Sequence, residues 1–377
     1  MQPRKHPLIT LLTNIGKFWD GSSYTGAGIQ KAVTTNVTFD CFEDFYGGRY
    51  AKVSGTYAAS GDVTITVTGA GSSSGHIFTP GDIVLNARTG ERMLVDSTTV
   101  PTATTFKVLS AKRAFGTTAA AAGADGDGLY IVGNTSEQNS GARNVNSTRS
   151  AKESNYTQIF KKTIALSRSE AKSATYGGGD LPYQRSKAGT EHAADIERAF
   201  WFSEKKSTTG ANGHPMYATG GILEGINSKG SYVQDQGGPL TAPDLDVFLR
   251  EGFTYGNETK TLFCGGIVLS AINEFARGQL VTKNKDTSYG VQIQEYVSAH
   301  GVINLVRHPY FVQDYAGYAF LIDMECFRYR YLTDSDTKLF TNVQAPDTDG
   351  EIDQYITECG LERKEMARNA LLKGVTA

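Results

Sequence analysis

After Gly61-Asp62, Val63, Ile65 and Val67 alternate with Thr64, Thr66 and Thr68, the period of two that marks a strand with one buried face. Four further segments have strand character: Ile83 to Ala87 after Pro80-Gly81-Asp82, Arg92 to Val95 beyond the Thr89-Gly90 turn, Thr105 to Leu109, and Leu129 to Val132. Together they predict a small β module at about residues 50–135. The period then changes. Ala188, His192, Ala193, Ile196, Ala199 and Phe200 recur at three- and four-residue intervals, which predicts a helix over 188–206 with one apolar face. Glu191 and Asp195 lie toward its start and Lys205 and Lys206 at its end, complementing the backbone dipole, and Ser207-Thr208-Thr209-Gly210 reads as its stop. Ile196 and Phe200 are the residues expected to seat this helix on the sheet of its own subunit. His192 shares that face, where a packed or solvated imidazole is the simpler reading than a metal ligand without companions.

Beyond the helix the pattern mixes both periods. Pro243 to Gly252 and Ile267 to Arg277 read as helices, and Thr261 to Cys264 between them as a buried strand. Tyr296 to Ala299, Val302 to Val306 and Tyr318 to Ile322 read as further strands, and Ile352 to Ile356 as the last clear one. Residues 362–374 have helical propensity without a decisive period. The fold class expected is α+β. Residues 1–40 show no helical period and read as an extended arm.

A chain of 377 residues has room for two or three domains. Its net charge of −2 carries no general signature of a nucleic-acid reader, but the charge is unevenly spread. Residues 142–187 hold nine basic side chains against three acidic, and residues 333–359 hold seven acidic against one lysine. Each run is either a solvated face or a patch that meets its opposite on an identical neighbour. Lys161, Lys162 and Arg168 on one side, and Asp347, Asp349 and Glu351 on the other, are the candidate inter-subunit contacts.

Chemistry-bearing motifs are sparse. Cys41, Cys264, Cys326 and Cys359 form no CxxC pair, so no zinc site is expected, and no cofactor or metal. Gly69 to Gly75 has the glycines of a dinucleotide loop with one residue too many and no helix to follow. Gly177-Gly178-Gly179-Asp180 reads as a flexible corner, with Pro182 set against a helix at that point. His300 and His308 flank a strand and are the one pair from which a catalytic reading, a hydrolase in a cleft of the α/β region, could start. No apolar stretch approaches membrane-spanning length.

The order of arm, strand-rich loop, single long helix and mixed α/β region resembles the Hong Kong 97-type fold of tailed-phage major capsid proteins, in a divergent branch long catalogued without a function. The residues that carry the resemblance are Gly81-Asp82, Thr89-Gly90-Glu91, Thr104 to Val108, Arg113 and Gly116-Thr117. They continue with Asn155 to Phe160, Ser167, Asp195 to Arg198, Gly220 to Leu223, Tyr355 to Glu362 and Gly374-Val375. The resemblance implies an N-terminal arm over 1–40 and an extended loop over 41–185 that carries the β module. It implies a peripheral domain over 186–239 with the spine helix 188–206, an axial domain over 240–325, and a return to the peripheral domain over 326–377. It implies no enzyme but a shell subunit, assembled as pentamers and hexamers in the host cytoplasm into the icosahedral head of the virion. That shell would enclose double-stranded DNA without reading its sequence, with a portal protein and separate scaffolding or decoration proteins as partners. The arm is shorter than the scaffolding segment of some relatives, so scaffolding is expected to be separate or absent. The rival reading is another structural subunit, of a tail, fibre or cell-surface lattice.

Overall fold

The structure, a computed structural model, describes residues 7–9, 31–44, 48–68, 78–96, 102, 104–142, 150–169, 180–279, 283–284 and 294–376. The chain forms two compact units, one of Met1–Cys41 with Lys152–Ala377 and the other of Phe42–Ala151. The glycine loop at 69–75 and the corner at 177–179 lie outside the described residues, as do residues 10–30 of the expected arm.

The unit Phe42–Ala151 is a six-stranded antiparallel sheet in the order Arg92–Leu94, Asp82–Asn86, Gly128–Asn134, Tyr50–Val53, Val63–Thr68, Thr105–Val108. Strict alternation in Val63–Thr68 puts Val63, Ile65 and Val67 inside with Ala51, Val53, Phe78, Val84, Met93, Phe106 and Leu129, while the threonines face out.

The larger unit is built on two sheets. In one, Ala32–Thr34, Phe327–Leu332, Gly350–Arg363 and Gln158–Ser167 lie side by side, with Lys338–Phe340 also paired to Gly350–Arg363. The other has seven strands in the order Tyr232–Pro239, Ala370–Thr376, Ala319–Ile322, Thr259–Cys264, Val302–Arg307, Gln294–Val297, Lys283–Asn284. Its central strands carry apolar side chains on both faces because both faces are covered. Phe263, Val306, Phe320, Ile322 and Leu371 face the core under the long helix, while Leu262, Cys264, Leu305, Ala319, Leu321 and Leu372 face the helices Ala242–Gly252 and Gly266–Gln279.

Four expectations need correcting. The long helix is Asp180–Phe202, so it begins earlier than 188 and stops before Lys205. Pro182 is its third residue, within the first turn, where no intrahelical partner waits for its missing N–H and its fixed φ fits the helix. Lys206–Thr209 does not simply end the helix but forms a hairpin with Pro215–Ala218, and Lys205 reaches across to Ser154, its Nζ donating to the backbone oxygen at 2.6 Å and to Oγ at 2.7 Å. The final segment holds a strand, Ala370–Thr376, so Ile352–Ile356 is not part of the last one; it belongs instead to the fourteen-residue strand Gly350–Arg363. Ala370–Thr376 lies between two strands of the seven-stranded sheet, where ladder bonds on both sides and double burial outweigh its helical propensity.

Candidate assembly site

Ile196 and Phe200 are buried in the cluster that joins the long helix to both sheets, with Phe160, Tyr329, Leu361 and Trp201. Phe200 meets Tyr329 edge-on at 5.8 Å between ring centroids. His192 is packed, not solvated. Its Nε2 lies 2.7 Å from Thr357 Oγ1, which donates on to Thr337 at 2.8 Å, and burial lowers its pKa from 6.5 so that it stays neutral.

Several motifs of the resemblance meet at one junction. Asn155 accepts the Gly220 N–H at 2.8 Å and donates to the Gly220 and Leu361 carbonyls at 3.0 and 2.7 Å, so one amide ties together segments 65 and 206 residues away. Gly221 follows, and a Cβ there would come within 2.9 Å of the Ala199 and Ser203 carbonyl oxygens. A side chain would therefore push the short helix Ile222–Ser228 off the end of the long one. Arg363 closes the junction by donating to Gly221 O at 2.7 Å and to Glu224 at 2.8 Å.

In the smaller unit the motif residues Glu91 and Arg113 form a buried two-pronged pair, Nε to Oε1 at 2.6 Å and Nη2 to Oε2 at 2.9 Å. Arg113 also donates to the carbonyls of Ala58 and Ala121, and Glu91 accepts the N–H groups of Ala114 and Ala121. Burial works to raise the pKa of Glu91, but the guanidinium and the two N–H donors outweigh it and hold the carboxyl below its ordinary value. Asp127 plays a similar part beside it, bonded to Arg88 and Asn86. These pairs tie down the long connection of residues 109–127 between two strands of the sheet.

The two charged runs are brought together within one chain. Gln158–Ser167 pairs antiparallel with Gly350–Arg363, with Lys161 and Lys162 opposite Ile356 and Tyr355. Arg168 pairs with Asp349 at 3.0 Å, Lys162 with Glu191 of the long helix at 2.8 Å, and Arg185 with Asp353 at 2.6 Å. Lys161, Asp347 and Glu351 are exposed. Lys162, Arg168 and Asp349, expected to meet a neighbour, each have a partner within the chain, and their side chains remain partly or largely exposed.

His300 and His308 do not converge. They flank the two ends of Val302–Arg307, a strand roughly 20 Å long, with His300 beside Asp246 at 3.2 Å and His308 beside the buried Glu197 at 2.9 Å. Among the described residues no group of His, Cys, Asp and Glu is placed to hold a metal, and no helix is long and apolar enough to cross a membrane. All four cysteines are buried free thiols, and burial pushes Cys264 and Cys359 up to about 12.

Two surfaces stand exposed among the described residues. Tyr50 and Tyr130 face each other across adjacent strands of the smaller unit, ring centroids 4.7 Å apart, and both are exposed, with Val132 open to solvent on the same strand as Tyr130. The hairpin Lys206–Thr209 with Pro215–Ala218 is open to solvent along most of its length, including Met216. A two-stranded ribbon is marginal in isolation and gains from a surface to lie on. Glu197 and Lys260 were not singled out by sequence reasoning. Each sits among other charges in its local sequence, Glu197 beside Arg198 and Lys260 two residues from Glu258, and such charges ordinarily signal solvent.

Residues 24–376 match the family model described as SU10 major capsid protein. A curated relative, the major capsid protein of Pseudomonas phage PaMx41, is 24% identical over 278 residues, which are 70% of this chain and 64% of that protein. The chain thus spans somewhat under two thirds of the length of that relative. Solved structures with a partial likeness include the SrpI encapsulin of Synechococcus elongatus PCC 7942, at 10% identity and TM-score 0.44 over 60% of this chain and 76% of that one. Another is the capsid of Myoviridae phage XM1, at 13% identity and TM-score 0.41 over 63% and 81%.

Proposed function

Because the chain belongs to the SU10 major capsid protein family, we propose that it is the major capsid protein of a tailed phage, self-assembling into the icosahedral shell that encloses the double-stranded DNA. The observation that carries the reading is the family match over nearly the whole chain. Supporting it is the order of elements, with a β-rich insertion, one long helix and a two-sheet body following one another as in the Hong Kong 97-type plan. On this reading residues 1–40 are the arm, 41–185 the extended loop, 186–239 and 326–377 the peripheral domain, and 240–325 the axial domain. The product is the virion head, and the partners are further copies in pentamers and hexamers, a portal protein, and separate scaffolding or decoration proteins.

The β module acts as a built-in cement unit that bridges adjacent subunits. The exposed Tyr50, Tyr130 and Val132 give it an apolar surface to bury, and shells gain stability by repeating one modest contact many times. Charge steering between subunits rests on Lys161, Lys162 and Arg168 of one copy against Asp347, Asp349 and Glu351 of another; all but the half-buried Lys162 are exposed. A near-neutral net charge suits the task, since a strongly cationic wall would hold the genome's phosphates tightly.

Electron microscopy of the expressed chain tests the reading: closed shells of uniform diameter are expected, and tubes, fibres or flat sheets would overturn it in favour of another lattice subunit. Deleting Val53 to Glu137 with a short Gly/Ser link separates the roles. Failed assembly or lost heat resistance is expected of a bridging module, and normal shells would remove that role while leaving the shell reading intact.

A further inference from the structure

The long helix carries one carboxylate entirely inside the protein, and its ligands come from the far end of the sequence. Glu197 Oε1 accepts the Leu8 N–H at 2.8 Å, and Oε2 accepts the Ile9 N–H at 2.7 Å. Both aliphatic side chains are buried in the core beneath the helix. On its other side the carboxylate meets His308, whose Nε2 lies 2.9 Å from Oε1. Nδ1 of that ring accepts the Tyr310 N–H at 3.3 Å, so the proton sits on Nε2 and is donated to Glu197. The imidazole is held flat against Phe311 at 4.3 Å and edge-on to Trp201 at 5.1 Å. The receptor half of the contact is therefore fixed by the helix, the strand end after Arg307 and an aromatic wall, none of which belongs to the N-terminal segment.

We propose that Glu197 and His308 form a peptide-receptor site whose ligand is this chain's N-terminal segment around Leu8 and Ile9, entering and leaving while the rest of the unit stays folded. The recognition chemistry is specific but spare: two successive backbone N–H groups for the two oxygens of a carboxylate, and two aliphatic side chains for the adjoining apolar pocket. Among the described residues the Ile9 N–H is the one donor to Oε2, so an empty site leaves a buried carboxylate oxygen unpaired and strongly favours refilling. Departure still leaves His308 on Oε1 and the remaining members of the core cluster in place, so the segment is a strap and not a foundation. The inference stands on the geometry of one chain and does not depend on the shell reading.

The test uses the full chain. A fluorescent peptide of residues 1–15 is titrated into wild type and into Leu8→Asp/Ile9→Asp, whose own segment can no longer occupy the pocket. At least tenfold tighter binding to the double variant is expected, and a loss of at least tenfold when Glu197→Gln is added. Equal binding to wild type and double variant, binding that survives Glu197→Gln, or loss of cooperative melting in the double variant would each overturn the proposal. Should Glu197→Gln fail to fold, amide hydrogen exchange on wild type decides. Leu8 and Ile9 should exchange at least a hundredfold faster than Ile196 and Phe200, and equal rates would mean that the segment opens only with the whole unit.

Discussion

Arg113→Ala is the sharpest probe of the smaller unit. The guanidinium neutralises Glu91, a carboxylate with no solvent contact, and is also the donor to the Ala58 and Ala121 carbonyls. Truncation leaves Glu91 with two backbone donors, Ala121 N at 3.0 Å and Ala114 N at 3.3 Å, too few for a buried charge. Removing one partner of a buried pair costs about 3–5 kcal/mol, and the whole stability of a unit this size is on the order of 5–15 kcal/mol. The variant should therefore unfold locally or sit at its threshold. Glu91→Gln should also destabilise, because each carboxylate oxygen accepts an Arg113 N–H and a backbone N–H, and an amide NH2 in place of one would face two donors. The assay follows from the sequence: no tryptophan lies within Phe42–Ala151, and the buried Trp201 belongs to the larger unit, so its fluorescence follows that unit. Hydrogen exchange of peptides within 42–151 reports the smaller one. Protection should collapse there in Arg113→Ala while the tryptophan transition stays put. Acid sharpens the test. The folded carboxyl titrates below its ordinary 4.5, so its stabilisation is complete above that value and is lost as pH falls through the folded one. Arg113→Ala should abolish that acid dependence. A loss under about 1 kcal/mol, the scale of an exposed pair, would refute the reasoning.

Phe200→Ala should destabilise the larger unit by about 3–5 kcal/mol and impair folding before assembly, and an unchanged melting temperature would remove Phe200 from the core. Lys260 is buried with Nζ donating to the carbonyls of Gly252, Tyr255 and Arg368, and burial depresses it from 10.5 to about 8. The unfolded chain then binds the extra proton between those values, so wild type should gain about 3 kcal/mol relative to Lys260→Met as pH rises from 8 to 10.5; pH-independent differences in urea unfolding would contradict this. His192, neutral by burial, makes the same kind of contribution in acid. Its stabilisation is complete above 6.5 and declines as pH falls below it, and His192→Gln should flatten that limb of the melting profile.

The sequence by itself determined the local periods. Val63 to Thr68 could only be a strand with one wet face, the 196–200 face of the long helix had to be covered, and Thr261 to Cys264 was too apolar for anything but the interior. Those patterns repeat within a few residues, and local sterics and hydration read them directly. The α+β class followed from their order. What tertiary structure decided were pairings between distant segments. Glu197 is one charge in a helix until Leu8 and His308 arrive beside it, and Glu91 and Arg113 are 22 residues apart until a folded connection joins them. The opposite charge runs were legible as sums, but only the folded chain showed which charges find partners within it: Arg168 with Asp349, where Gln158–Ser167 runs antiparallel to Gly350–Arg363, Lys162 with Glu191, and Arg185 with Asp353. Ala370–Thr376 is the plainest case. Its intrinsic preference is worth a few tenths of a kcal/mol per residue, whereas a place between two strands, buried on both faces, is worth far more, and that place exists only after the sheet has formed.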